Sequence, residues 1–152
     1  MSIDDTGEVA AASALPALLD RFFRAVSFAP GERPRYEELR DLFIDGGRLI
    51  NTSSGTPEVS TVEQFIAPRQ AIVDSGALAS FREVEGPATT EVFGNVAHRF
   101  SRYDKDGVRD GVAFAAQGMI TTQFVRTPDG WRISTMAWDD ERAGLTIPQR
   151  YR

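Results

Sequence analysis

Apolar positions fall into two regimes along the chain: up to about Gly76 most recur at helical spacing, and beyond it they run in short alternating segments. Leu15, Leu18, Leu19, Phe22, Phe23 and Val26 form one broad apolar face, with Asp20, Arg21 and Arg24 between them, which is the pattern of an amphipathic helix lying on a core. Ser13 stands where a cap would, so the helix is expected from there, and residues 1–12, small, polar and aperiodic, read as a mobile tail. Pro30-Gly31-Glu32-Arg33-Pro34 breaks the period, and Tyr36, Leu39, Leu42 and Phe43 restart it as a shorter helix closed by Asp45-Gly46-Gly47. A short strand, 48–51, follows, with Val59 as a stub of another. Ser60-Thr61-Val62-Glu63 matches a capping box in which Ser60 accepts from the Glu63 N–H, so a third helix is expected from Thr61. Pro68 lies too deep in it for a first-turn proline and predicts a kink or a break.

After Gly76, segments 79–85, 89–93, 96–103, 112–126 and 131–138 read as strands, separated by Gly86-Pro87, Gly94-Asn95, the stretch 104–111 and Pro128-Asp129-Gly130. Links this tight predict antiparallel neighbours. The segment 112–126 is long, and Gly118 near its middle is the expected place for a bulge or bend that curls the sheet. Helices first and strands afterwards make an α+β domain, with helices on one face of the sheet, and one domain over 13–152 accounts for the chain. Both faces of 112–126 are apolar: Phe114, Ile120 and Phe124 on one, Ala115, Met119 and Val125 on the other. Helices can cover only one of them, which predicts a homodimer through the outer face.

Charge and composition narrow the function classes. With no cysteine, disulfides, thiolate metal sites and a cysteine nucleophile are excluded, and a single histidine excludes sites needing two imidazoles. Carboxylates alone could still take a hard cation, but no loop is spaced for one, and the scattered glycines form no phosphate loop, so no metal site and no cofactor is expected. A net charge of −5, with basic residues interleaved among acidic ones, argues against nucleic acid. No apolar run is long enough to span a membrane, and the acidic N-terminal stretch is the reverse of a secretory signal, so a cytoplasmic protein is expected.

The second half carries a family resemblance. Gly94-Asn95-Val96-Ala97-His98-Arg99-Phe100-Ser101-Arg102-Tyr103 resembles the strand reading G-x-V-A-H-x-x-S-x-Y in small SnoaL-like proteins of the NTF2-like superfamily. The segments Gln123 to Ile133 and Ala137 to Arg142 resemble their closing pair of strands with the acidic stretch after it, and Ile147 to Tyr151 resembles their tail. The resemblance spans residues 13–151 and implies a cone, in which a curved antiparallel sheet wraps around three N-terminal helices. It implies function only loosely, because the superfamily includes ketosteroid isomerase, scytalone dehydratase, polyketide cyclases, limonene epoxide hydrolase and members without an assigned reaction.

Six residues are candidates for chemistry. His98, the one imidazole, suits a general acid or base in a pocket; alternatively it is a strand histidine bonded to a neighbour or exposed. Arg69 interrupts the apolar stripe Val62, Phe65, Ile66, Ile72 and Val73, so it points into the cone toward a ligand carboxylate, pairs with a strand carboxylate such as Glu83 or Glu91, or is turned to solvent by Pro68. Asp139 is either a base at the rim or part of a solvated acidic turn. Tyr36 and Tyr103 are possible donors to an oxyanion. Trp138 and Trp131 lie on opposite faces if their strand is regular, one in the core and one lining a pocket or the dimer interface. Two functions follow. One is a small-molecule pocket protein, a lyase, isomerase or cyclase acting without cofactor on an apolar oxygenated compound; the other is a non-catalytic ligand-binding or dimerisation module.

Overall fold

The computed structural model describes the backbone of residues 3–152 and the side chains from Ala10 onward. Helix α1, Ile3–Val26, lies against the sheet. It begins well before Ser13, so the stretch read as a tail is helical from Ile3, and Ala11 is already buried in the core. Ser13 caps nothing: its hydroxyl donates to the Ala10 carbonyl within the helix. The second helical segment is a short 3-10 helix, Tyr36–Asp41, and Phe43, expected in it, opens strand β1, Phe43–Asn51. Asp45-Gly46-Gly47 is therefore an irregularity inside a strand, where pairing jumps between Phe43 and Arg48 and Gly46 takes φ +78°.

Strand β2, Glu58–Ser60, leads into helix α2, Val62–Asp74. The capping box is present one residue later than the sequence pattern placed it. The Gln64 N–H donates to Thr61 Oγ1 at 3.1 Å and the Thr61 N–H donates to Gln64 Oε1 at 3.0 Å. The helix runs through Pro68 as one element. Four long strands follow: β3, Leu78–Phe93; β4, Val96–Arg109; β5, Val112–Thr127; and β6, Gly130–Asp140. The six strands form one sheet in the order β2-β1-β6-β5-β4-β3. It is mixed rather than wholly antiparallel, because β1 runs parallel to β6. Segments 79–85 and 89–93 belong to the single strand β3, whose register shifts between Glu85 and Ala88 at Gly86-Pro87. The stretch 104–111 is mostly strand too, and the chain reverses at Asp110 and Gly111, with φ of +51° and +77°. Left-handed geometry at both central positions is what an Asp-Gly hairpin turn favours.

Alternation along these strands sets which side chains enter the cone. Phe81 and Glu83 of β3, Ser101, Tyr103 and Lys105 of β4, and Ile120, Thr122 and Phe124 of β5 share the inner face by register. On β6 the pairing slips between Gln123 and Phe124, which brings Trp131, Ile133, Met136, Trp138 and Asp140 all to that face. The two tryptophans, separated by an odd number of positions, thus face the same way instead of oppositely. The core sits between this face and α1, where Leu15, Leu19, Phe124, Ile133 and Met136 are fully buried.

The outer face carries its own cover. The segment after β6 folds back so that Ile147 and Tyr151 are buried, with the Tyr151 ring edge-on to Phe100 at 5.4 Å and its hydroxyl bonded to Thr89. Part of the outer apolar surface read as a dimer interface is covered by this segment; Phe93 and Val96 remain exposed on that face. Among the described residues, no helix is long and apolar enough to cross a membrane.

Candidate ligand pocket in the cone

Between the inner face of the sheet and the helices lies a cavity of about 410 Å³, within the range of roughly 300–1,000 Å³ that small-molecule sites occupy. Its walls are largely aromatic, with Phe22 from α1, Phe65 from α2 and Trp138 from β6; Trp138 meets Phe65 edge-on at 6.2 Å. Into this lining project a few charged and hydroxyl groups: Tyr36, Glu58, Arg69, Glu83, Tyr103, Lys105 and Arg109.

Arg69 comes from the middle of α2 because the helix turns its apolar stripe toward the sheet and the arginine falls within that stripe. Its guanidinium lies over the Phe65 ring, 3.6 Å from the centroid, and Nη1 donates to the Phe65 carbonyl at 3.1 Å. Of the three orientations the sequence left open, the one into the cone is realised, and no carboxylate among the described residues comes within 4.0 Å. Burial pulls its pKa below the usual arginine value, with Tyr36, Glu83 and Glu58 acting the other way, and an arginine in such a place stays charged.

Glu83 lines the cavity from β3, across the pair from Lys105. Its backbone is fixed to α1's end, where the Glu83 N–H donates to Ser27 Oγ at 3.0 Å. Among the described residues nothing donates to its carboxylate. Lys105, its register partner, turns instead to Asp140, with Nζ 3.0 Å from Oδ1. Burial pushes the Glu83 carboxyl up to about 7, helped by the charge of Asp140 and opposed by Lys105 and Arg69. A carboxyl in an apolar cavity that changes protonation near neutrality is equipped to give and take protons.

Tyr103 donates to Asp140 Oδ1 at 2.5 Å. Burial first, and then this bond and the surrounding carboxylates, raise its phenol well above the ordinary tyrosine value, so it remains a hydroxyl. Burial likewise raises Tyr36, which lies at the helical side of the cavity near Arg69. Among the described residues no group of three or more metal-ligating side chains is assembled.

Two candidates are elsewhere. His98 is exposed on the outer face, with Nε2 2.8 Å from Glu91 Oε1, and has no access to the cone. Register explains it: Ala97, Arg99, Ser101 and Tyr103 take the inner positions of β4, which leaves His98 outside with Val96 and Phe100. Asp139 also points outward and is paired with Arg142 at 2.7 Å, beneath the returning C-terminal segment. Arg69, Tyr36, Tyr103 and Trp138 do line one cavity. Sequence reasoning did not find Lys105, and it placed Asp140 in a turn beyond the strand; an inward parity running from Tyr103 to Lys105 was the signal available for the first.

No protein-family model matches the sequence, and no curated protein matches it either. Solved structures do. The NTF2-like superfamily protein from Salmonella enterica superposes with a TM-score of 0.69 at 15% identity, over 89% of this chain and 94% of that one. The chain has the NTF2-like fold. An NTF2-like protein with a cystatin-like fold from Novosphingobium aromaticivorans gives a TM-score of 0.63 at 19% identity over 95% and 96% of the two chains. LinA gives 0.74 at 12% over 95% and 97%. Identities this low speak to the NTF2-like fold alone, so chemistry has to be argued from the cavity's own residues.

Proposed function

We propose that the cone binds a small, mostly apolar molecule bearing oxygen, and that Glu83 carries out acid–base chemistry on it without a cofactor. One observation carries this: the Glu83 carboxyl lines an aromatic cavity and accepts no hydrogen bond from any described residue. A buried carboxyl kept only for structure is normally satisfied by donors, as Glu85 is by Arg99 through two bonds of 2.8 Å. As carboxylate, Glu83 takes a proton from carbon next to a substrate carbonyl. The electron pair moves to the carbonyl oxygen as an enolate; where a C=C adjoins it, the proton returns at the far carbon of that dienolate in an isomerisation, or a leaving group on the β-carbon departs with its bonding pair as a C=C forms in an elimination. Arg69 and the Tyr36 hydroxyl stand on the helical side to hold substrate oxygen, and the aromatic walls exclude water.

The test is a thermal-stabilisation screen of hydrophobic hydroxy- and keto-compounds, followed by turnover of the hits, because only binding to the native state raises the melting temperature. Glu83→Gln should lower turnover by roughly 10²–10⁴ with the fold intact. Full activity in that variant rejects the catalytic role. Binding without turnover favours the second reading, a ligand-binding module, and no binding rejects the pocket altogether. A homodimer through the exposed apolar part of the outer face, Phe93 and Val96, is also proposed. Light scattering should give a dimer mass, and a monomer mass across dilution ends the idea.

A further inference from the structure

Resting on the reading of the cone as a small-molecule pocket, we infer that its ligand carries a carboxylate, held by the free edge of the Arg69 guanidinium with the apolar body of the molecule against Phe65 and Trp138. A guanidinium offers five N–H donors in a rigid plane, and its Nε–Nη2 edge matches the two oxygens of a carboxylate. This chain shows the match internally. Arg99 donates from Nε and Nη2 to the two oxygens of Glu85, both at 2.8 Å, while its Nη1 is occupied by Thr90. Arg40 does the same with Glu63 at the surface, at 2.6 and 3.1 Å. Arg69 repeats the arrangement up to the last step: Nη1 is occupied by the Phe65 carbonyl, the guanidinium sits over the Phe65 ring, and the Nε–Nη2 edge engages no described residue.

Three features favour a carboxylate over a neutral oxygen. An unpaired cation half-buried among aromatic side chains is costly, and an anion offsets that cost. The guanidinium is already held by its place over the Phe65 ring and by its Nη1 bond, so little side-chain freedom remains to be lost on binding. The nearest carboxylates the cavity could supply are otherwise committed or not close: Asp140 is engaged by Tyr103 and Lys105, and neither Glu83 nor Glu58 comes within 4.0 Å of Arg69 although both line the same space. An incoming carboxylate would also withdraw the influence by which Arg69 lowers the Glu83 carboxyl, so the ligand should favour protonated Glu83.

Calorimetric titration of the purified chain at neutral pH with phenylacetate and with phenylacetamide, which share a shape and differ in charge, tests this. The acid should bind at least tenfold more tightly than the amide. In Arg69→Met, which keeps much of the side-chain volume, and in Arg69→Gln, the acid should lose that advantage over the amide. Backbone NMR spectra check that each variant is folded, and the Arg69 Nε–H resonance of the wild type should move on adding the acid. Equal affinity for the two probes, or an acid preference that survives in a folded Arg69 variant, overturns the inference and leaves the pocket standing. Binding of neither probe overturns the inference, and the pocket reading falls with it only if the wider screen of neutral compounds is also blank.

Discussion

Tyr103 reaches Asp140 by crossing Gly118. The three are lateral neighbours on β4, β5 and β6, and a Cβ at Gly118 would lie 2.3 Å from the Tyr103 hydroxyl oxygen and 2.2 Å from the Asp139 carbonyl. The glycine is there for close approach of a ring and a backbone, not for a bend, since the pairing of β4 with β5 is unbroken through it. The bond it permits anchors Asp140, which in turn draws Lys105 away from Glu83.

Gly118→Ala should therefore destabilise the protein by about 1–3 kcal/mol, the usual cost of overpacking a filled site. Tyr103→Phe loses one charge-assisted bond, and about 1.5–3 kcal/mol is expected. In the double variant Gly118→Ala/Tyr103→Phe the costs should fall short of additive, because the hydroxyl that clashes is gone. Denaturant melts of the four proteins measure this, and strict additivity would mean that the hydroxyl and the glycine are not coupled.

Glu83 makes stability depend on pH in an unusual direction. Its carboxyl titrates near 7 folded and near 4.5 unfolded, so between those values the folded state holds the extra proton. The contribution is fully present below pH 4.5 and is lost as pH rises through 7. Glu83→Gln should consequently be more stable than the wild type at pH 8, by about 1–3 kcal/mol, with the difference shrinking toward pH 5. Urea melts across that range test it; a pH-independent difference would contradict it.

The cap of α2 distinguishes two neighbouring residues. Thr61→Ala should cost about 1 kcal/mol, as loss of a helix cap does, whereas Ser60→Ala should cost little, because Ser60 takes no part in the cap. Thermal melts of both variants check it, and the reverse order would restore the box to Ser60 and Glu63.

That shift shows what the sequence made legible and what it did not. Ser60-x-x-Glu63 and Thr61-x-x-Gln64 both fit the capping pattern, and backbone geometry chose between them. The order of helices and strands and the apolar stripe of α1 follow directly from periodicity, because each is a local consequence of spacing; periodicity put Arg69 in the stripe of α2 but left its direction open between the cone, a strand carboxylate and solvent. The sequence left His98 open between cone and surface because alternation along β4 marks two sides without saying which is inside, and left Asp139 open between rim and turn because the segment after Trp138 reads as a turn although β6 runs on to Asp140. Trp131 and Trp138 depended on a slip in β6 that no turn residue signals. Two Asp-Gly pairs, Asp106-Gly107 and Asp110-Gly111, competed for one hairpin; the second makes the turn, and the strand before it extends to Arg109, which carries Lys105 into the cone.

The central claim, that the cone holds a proton-exchanging carboxyl in a ligand pocket, is tested most directly by following the Glu83 side-chain carbon by ¹³C NMR as pH is changed, with Glu83→Gln identifying the signal. The account predicts a midpoint near 7, displaced upward when phenylacetate occupies the cavity. A midpoint near the ordinary 4.5, unmoved by the ligand, would contradict it.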